Sequence, residues 1–120
     1  MKIQIKYTNI EHSDALQKYA EEKVGGAVQK IVHEDALGGA ICDIELQRET
    51  GMEEGETCRA EVTLEVEGKV YRVEKTEPNI NKAIDKVKDD ITQVLRKDKE
   101  QKKDAFIKGA QDAKKMLRGE

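Results

Sequence analysis

Between Ile80 and Leu95 the apolar residues Ile80, Ala83, Ile84, Val87, Ile91, Val94 and Leu95 recur at steps of three and four. That spacing lays one apolar stripe along an α-helix and leaves its other faces polar. A stripe of this kind must lie against something, so it obliges the rest of the chain to supply an apolar platform. Asn79 is suited to cap the helix, because its side chain accepts a bond from an unpaired first-turn N–H, and Pro78 marks the break from an extended segment before it. The stripe stops at Leu95, yet helix-favouring residues continue through Arg96, Lys97, Lys99, Lys102 and Lys103. The expectation is one helix over 79–103 whose first half belongs to a core and whose second half projects as a basic rod.

The upstream chain reads as that platform. Ile3, Ile5 and Tyr7 alternate with Lys2, Gln4 and Lys6, the period of a strand with one buried face. Asn9–His12 is a turn, and Ser13 can cap a helix starting at Asp14. Leu16, Tyr19 or Ala20, Val24, Ala27 or Val28, and Ile31 share a face at helical spacing. Gly25 and Gly26 interrupt that helix, each costing roughly 1 kcal/mol relative to Ala; a bend, a close approach or a weak spot would account for them. Leu37-Gly38-Gly39 closes the segment. Period two then returns with Cys42, Ile44 and Leu46, and again, most clearly, with Cys58, Ala60, Val62, Leu64 and Val66. Thr50–Thr57 reads as a loop between these strands, Gly68-Lys69 as a tight turn, and Val70–Lys75 as a fourth strand with Tyr71 and Val73 inward.

The order is β-α-β-β-β-α. Strands apolar on one side only imply a mainly antiparallel four-stranded sheet with both helices on one face and water on the other, a two-layer α/β (α+β) sandwich. The strand–helix–strand unit should pair its strands in parallel. The expected domain spans 1–103, with 104–120 a tail. Phe106, Ala110, Ala113 and Leu117 allow a short helix there, but the thin stripe and Gly109 within it favour fraying.

With 120 residues, 39% charged and 3% aromatic, the chain suits one domain with a thin aliphatic core. No apolar run approaches the ~20 residues that cross a bilayer, and the alternating N-terminus is unlike a signal peptide; a soluble, cytoplasmic protein is expected, without a membrane role. The net charge is −3, but residues 1–76 carry 10 Lys/Arg against 16 Asp/Glu, and residues 77–120 carry 12 against 9. A basic element meeting a polyanion fits this asymmetry. So does a solvated helical tail.

Little points to catalysis. No nucleophile–base pair, nucleotide-binding glycine motif or carboxylate dyad appears; Asp89 and Asp90 are helix neighbours that diverge by about 100°. Cys42 and Cys58 fall on facing strands, where a disulfide is conceivable and two buried free thiols are the better reading. They and the separated His12 and His33 offer no zinc spacing, so neither cofactor nor metal is expected. The open sheet face would carry Asp43, Glu45, Glu61 and Glu65, with Tyr7 and Tyr71 turned inward, which suits neither base stacking nor phosphate. RNA, if bound, must meet the helices.

Several strings recur together in one known family. Met1-Lys2-Ile3 leads to Asn9-Ile10-Glu11, Asp14-Ala15-Leu16 opens the first helix with Lys23 inside it, and Ala60-Glu61-Val62-Thr63-Leu64 precedes Gly68. Ala83-Ile84-Asp85 then opens an aliphatic seam that ends in Leu95-Arg96-Lys97 and Lys99. In this order and spacing, over residues 1–103, the chain resembles the short ribosome hibernation factors, also called ribosome-associated inhibitor A or ribosome subunit interface proteins. The resemblance implies the fold above and a non-enzymatic translation inhibitor of stress or stationary phase, monomeric, docked on the small ribosomal subunit in the tRNA/mRNA channel. It implies contacts to ribosomal RNA by Lys23, Lys97 and Lys99, with Arg96 preserving charge beside them. The short chain lacks the further domain of long members, so ribosome dimerisation by it alone is not expected. It departs from the family at Asn79-Ile80-Asn81, where Asp-Met-Tyr is usual, and at Gly26, Asp90 and Gln93, where basic residues are usual. Lys82, Lys86 and Lys88 are available to replace that charge, and Lys82 and Lys86 join the expected RNA-binding set. The competing reading is a protein-interaction module of the same fold, docking through residues 106–117 or the acidic sheet face.

Overall fold

A computed structural model of the protein describes residues 1–49 and 57–118, with side chains as far as residue 102. The strands are β1 (Lys2–Thr8), β2 (Ile41–Glu49), β3 (Thr57–Val66) and β4 (Lys69–Glu77). The helices are α1 (Asp14–Ala20), α2 (Gly26–Ile31), α3 (Glu34–Leu37) and α4 (Ile80–Arg118), with a π-helical turn, Glu21–Gly25, joining α1 to α2. The strands lie in the order β1-β2-β3-β4. β1 runs parallel to β2, with Ile5 beside Ile44, and the other two pairings are antiparallel. This is the expected β-α-β-β-β-α order and mixed sheet.

The core is aliphatic and one layer deep. Cys42, Ile44, Leu46, Ala60, Val62 and Leu64 are buried from the sheet, against Val24 and Val28 from the first helix and Ala83, Ile84, Val87 and Ile91 from α4. Of the first helix's alternatives, Ala20 and Val28 are buried, while Tyr19 and Ala27 are half-buried. The π turn explains why. Buried positions at 20, 24 and 28 repeat every four residues, so a regular helix of 3.6 per turn would carry them off the core by about 40° per step. A wider turn takes up that drift.

The paired glycines separate into two cases. A Cβ on Gly25 would lie 2.9 Å from Ile3 Cδ1, so the tip of the Ile3 side chain fills the space a larger residue would need, whereas a Cβ on Gly26 would meet nothing within 4 Å. Both expected caps form: Ser13 Oγ accepts from the Leu16 N–H at 3.0 Å, and Asn79 Oδ1 from the Lys82 N–H at 2.8 Å.

Several expectations change. Val94 is exposed rather than part of the buried stripe. The β3–β4 turn is Glu67-Gly68, both with positive φ, as a two-residue hairpin requires, so β4 begins at Lys69. Of the expected loop, residues 50–56 lie outside the described residues, and Thr57 already belongs to β3. His33 caps the start of α3, where its Nδ1 accepts from the Asp35 N–H at 3.3 Å. Cys42 lies opposite Leu64, and Cys58 opposite Arg48. The two thiols are therefore six positions apart along the hairpin, about 20 Å at ~3.3 Å per residue, beyond reach of a disulfide. Both are free and buried, and burial pushes the Cys42 thiol up to about 12. Past Lys103 the backbone continues as α4 to Arg118 instead of fraying. Lys, Ala and Gln there favour helix, and a single Gly109 costs only about 1 kcal/mol. The stripe expected from Phe106 to Leu117 lies outside the described side chains.

Candidate nucleic-acid interface

The first helix and α4 lie side by side on the sheet, and the seam between them opens on its solvent side into a groove of about 450 Å³. Lys23 and Gly26 line it from one wall with Lys30; Lys88, Thr92 and Arg96 line it from the other. The spacing is helical on both sides. Lys23 and Lys30 are two turns apart, and Lys88, Thr92 and Arg96 follow one another by single turns. Each wall thus presents a row of cations.

Few carboxylates oppose them. Glu22 also lines the groove, but Lys18 stands 3.9 Å from it. Lys88 Nζ lies 2.9 Å from Asp89 Oδ1, and this contact holds the Asp89 carboxyl below its usual range. Among the described residues, Lys23, Lys30 and Arg96 have no ion-pair partner. The Thr92 hydroxyl donates to the Lys88 carbonyl at 2.8 Å. No aromatic ring lines the groove, so its side chains suit phosphate better than base stacking.

At one end the walls are tied together. Tyr19 Oη donates to Asp85 Oδ1 at 2.5 Å, a bond that, with partial burial, raises the phenol above its ordinary range. Lys23 Nζ sits 5.6 Å from the centre of the same ring. At the other end, Asp98 receives the Tyr71 hydroxyl at 2.5 Å and is paired with Lys69 and, at 3.4 Å, with Lys102. The bonds from Lys69 and Tyr71 bring its carboxyl down to about 2. Asp98 thereby anchors α4 to the β3–β4 turn just where the helix passes its last buried residue, Leu95.

The expected site residues separate on this frame. Lys23 and Arg96 come together in the groove. Lys97 shares an adjoining concavity with Arg96 and Lys88. Lys99 instead borders a more apolar cleft beside Ile31, Val32 and Leu95. Lys82 lies 4.0 Å from Glu77 at the start of α4, about 21 Å along the helix from Arg96. Lys86 is exposed on α4 and lines none of these concavities. Of the departures, Gly26 lines the groove and Gln93 the adjoining concavity, while Asp90 points away to Lys75 at 3.5 Å. The sequence reading passed over Lys30 and weighed Lys88 only as a substitute charge. Their seven- and eight-residue spacings from Lys23 and Arg96 were the available signal.

The opposite face of the sheet is built differently. Lys6, Glu45, Glu61 and Glu74 form one row across all four strands. Arg59, in the next row, donates to Glu74 through Nε at 3.0 Å, lies 3.5 Å from Glu45, and pairs with Glu61. Its bonds hold Glu74 below the usual carboxylate range.

Similarities to known proteins follow this architecture. The N-terminal domain of Thermus thermophilus Protein Y superposes with a TM-score of 0.66 at 22% identity, covering 81% of this chain and 98% of that one. A ribosomal subunit interface protein from Coxiella burnetii superposes with a TM-score of 0.64 at 16% identity, covering 83% and 99% respectively. At these identities the likeness establishes the fold. No curated protein matches the chain closely enough to count as a relative. The sequence profile of sigma 54 modulation protein / S30EA ribosomal protein, however, matches residues 3–103, nearly the whole packed domain and both walls of the groove. The chain belongs to the sigma 54 modulation protein / S30EA ribosomal protein family.

Proposed function

We propose that this protein binds the small ribosomal subunit and holds translation off, docking in the tRNA/mRNA channel through the groove between its helices. Lys23, Lys30, Lys88 and Arg96 act as phosphate contacts. Lys97 and Lys99 extend that contact along α4, and Lys82 and Lys86 stay at its margin. The observation that carries the reading is the row of cations on each wall, most of them without a carboxylate partner among the described residues. Unpaired like charges held close together repel, and an incoming polyanion relieves that repulsion. Membership of a ribosomal protein family supports it, as does the fold shared with a ribosomal subunit interface protein. No helix among the described residues is long and apolar enough to cross a membrane. The role is one of binding, without catalysis.

The test is co-sedimentation with purified small subunits across a salt series. Phosphate contacts release counterions, so log K should fall linearly with log salt. Changing Lys23, Lys30, Lys88 and Arg96 together to Gln should make that slope shallower by about 2.8–3.6, at 0.7–0.9 per contact. A parent protein that stays in the supernatant even at low salt would sink the proposal and favour a protein partner.

A further inference from the structure

Lys23 stands on the π turn and its long side chain is exposed, so its backbone position alone does not aim its ammonium. Two contacts compensate. The Tyr19 ring lies beneath its ammonium at 5.6 Å, and the same residue's hydroxyl is bonded across the seam to Asp85 at 2.5 Å. Tyr19 is one turn before Lys23, and Asp85 lies on the opposite wall, one turn before Asp89 and nearly one before Lys88. The ring is therefore fixed at both ends, by its own helix and by α4. We infer that the Tyr19–Asp85 pair is a brace that fixes the Tyr19 ring across the seam and so aims the Lys23 ammonium into the groove. Neither residue lines the groove, so both are positioning residues for an RNA contact made by Lys23. This inference rests on the ribosome-binding reading and adds to it the residues that shape the site.

The brace acts through two separable parts. Tyr19→Phe keeps the ring and removes the bond to Asp85; Tyr19→Leu removes both. Lys23→Gln removes the contact itself and should weaken small-subunit binding roughly tenfold, the size of one charge-assisted contact, with a salt slope shallower by 0.7–0.9. Tyr19→Phe should reproduce much of that loss and of that change in slope. The double variant Tyr19→Phe/Lys23→Gln should bind no worse than Lys23→Gln alone, because the two act through one contact. A merely structural role for Tyr19 would lower the melting temperature and leave the slope where it was. In the free protein, the Lys23 side-chain methylene protons should show upfield ring-current shifts that Tyr19→Phe alters and Tyr19→Leu abolishes. Tyr19→Phe binding like the parent, or losses that add in the double variant, would overturn the brace while leaving ribosome binding intact. A parent that fails to bind small subunits would instead remove the functional reading. The ring-current shifts would then decide the geometry alone, and their absence in the parent would refute it.

Discussion

The two faces of this sandwich both carry charge and use it in opposite ways. On the sheet, three glutamates stand directly opposite one another in a single row, an arrangement that is destabilising by itself, and Arg59 reaches all three. Between the helices, the cations are left largely without carboxylates, and the one acid beside Lys88 lies on its own helix. One face consumes its charge internally and the other keeps it available. Charge that folding does not use, gathered along a groove, is what the proposed polyanionic partner would meet. Composition averaged over the chain conceals this, since its sign is negative.

The contrast breaks most visibly on the helical side. Replacing Arg96, Lys97 and Lys99 together by Glu should abolish small-subunit co-sedimentation at moderate salt, a loss of about three orders of magnitude or more from three reversed contacts. All three are exposed, so thermal melts should move little, within ~0.5 kcal/mol per residue. Undiminished pelleting would make the projecting part of α4 a solvated rod and return the interest to a protein partner.

On the sheet side the converse is expected. Arg59→Leu should lower stability by about 1–2 kcal/mol, between the values of exposed and buried pairs, and leave ribosome binding unchanged. Its pH dependence sharpens the comparison. In the parent, Glu74 titrates below its unfolded value, so its stabilising contribution is present above the ordinary carboxylate range and is lost as pH falls. In the variant the glutamates repel, and protonation relieves them. The deficit against the parent should therefore shrink as denaturation is measured at successively lower pH.

The smallest effect is a gain. Gly26 lines the groove with open space where a side chain would go. Gly26→Lys should add one contact, steepening the salt slope by 0.7–0.9, and should stabilise the helix by roughly 0.5–1 kcal/mol. Gly25→Lys offers no such room.

Much of this was legible in the chain because its periodicities are clean. Strict alternation from Cys58 to Val66 and the stripe from Ile80 to Leu95 leave few other ways to bury an aliphatic core. The candidate groove was legible residue by residue and not as a groove. Lys23 and Arg96 stood out, but their convergence depends on how two helices lie on the sheet, which no local pattern specifies. For the same reason Asp90, one of the chain's departures from the family it resembles, faces β4, where a basic residue would meet Lys75. Lys82 and Lys86 were placed by charge alone, and charge does not say which wall a residue is on. The choice of Ala20 over Tyr19 for burial turned on a π turn, a departure from the regular period that pattern counting assumes.

That turn bears on how the chain can change its length. A π turn holds one residue more than the α-helix on either side requires. Removing a residue between Glu21 and Gly25 would return the segment to a regular helix while α1 and α2 kept the faces they now show the sheet. Deletion almost anywhere else in the layer would rotate all that follows by about 100°. Relatives one residue shorter at this point are thus architecturally available, but each would carry its lysine on a different bearing, so loss and gain of a single codon here would trade against the aim of the site's cation.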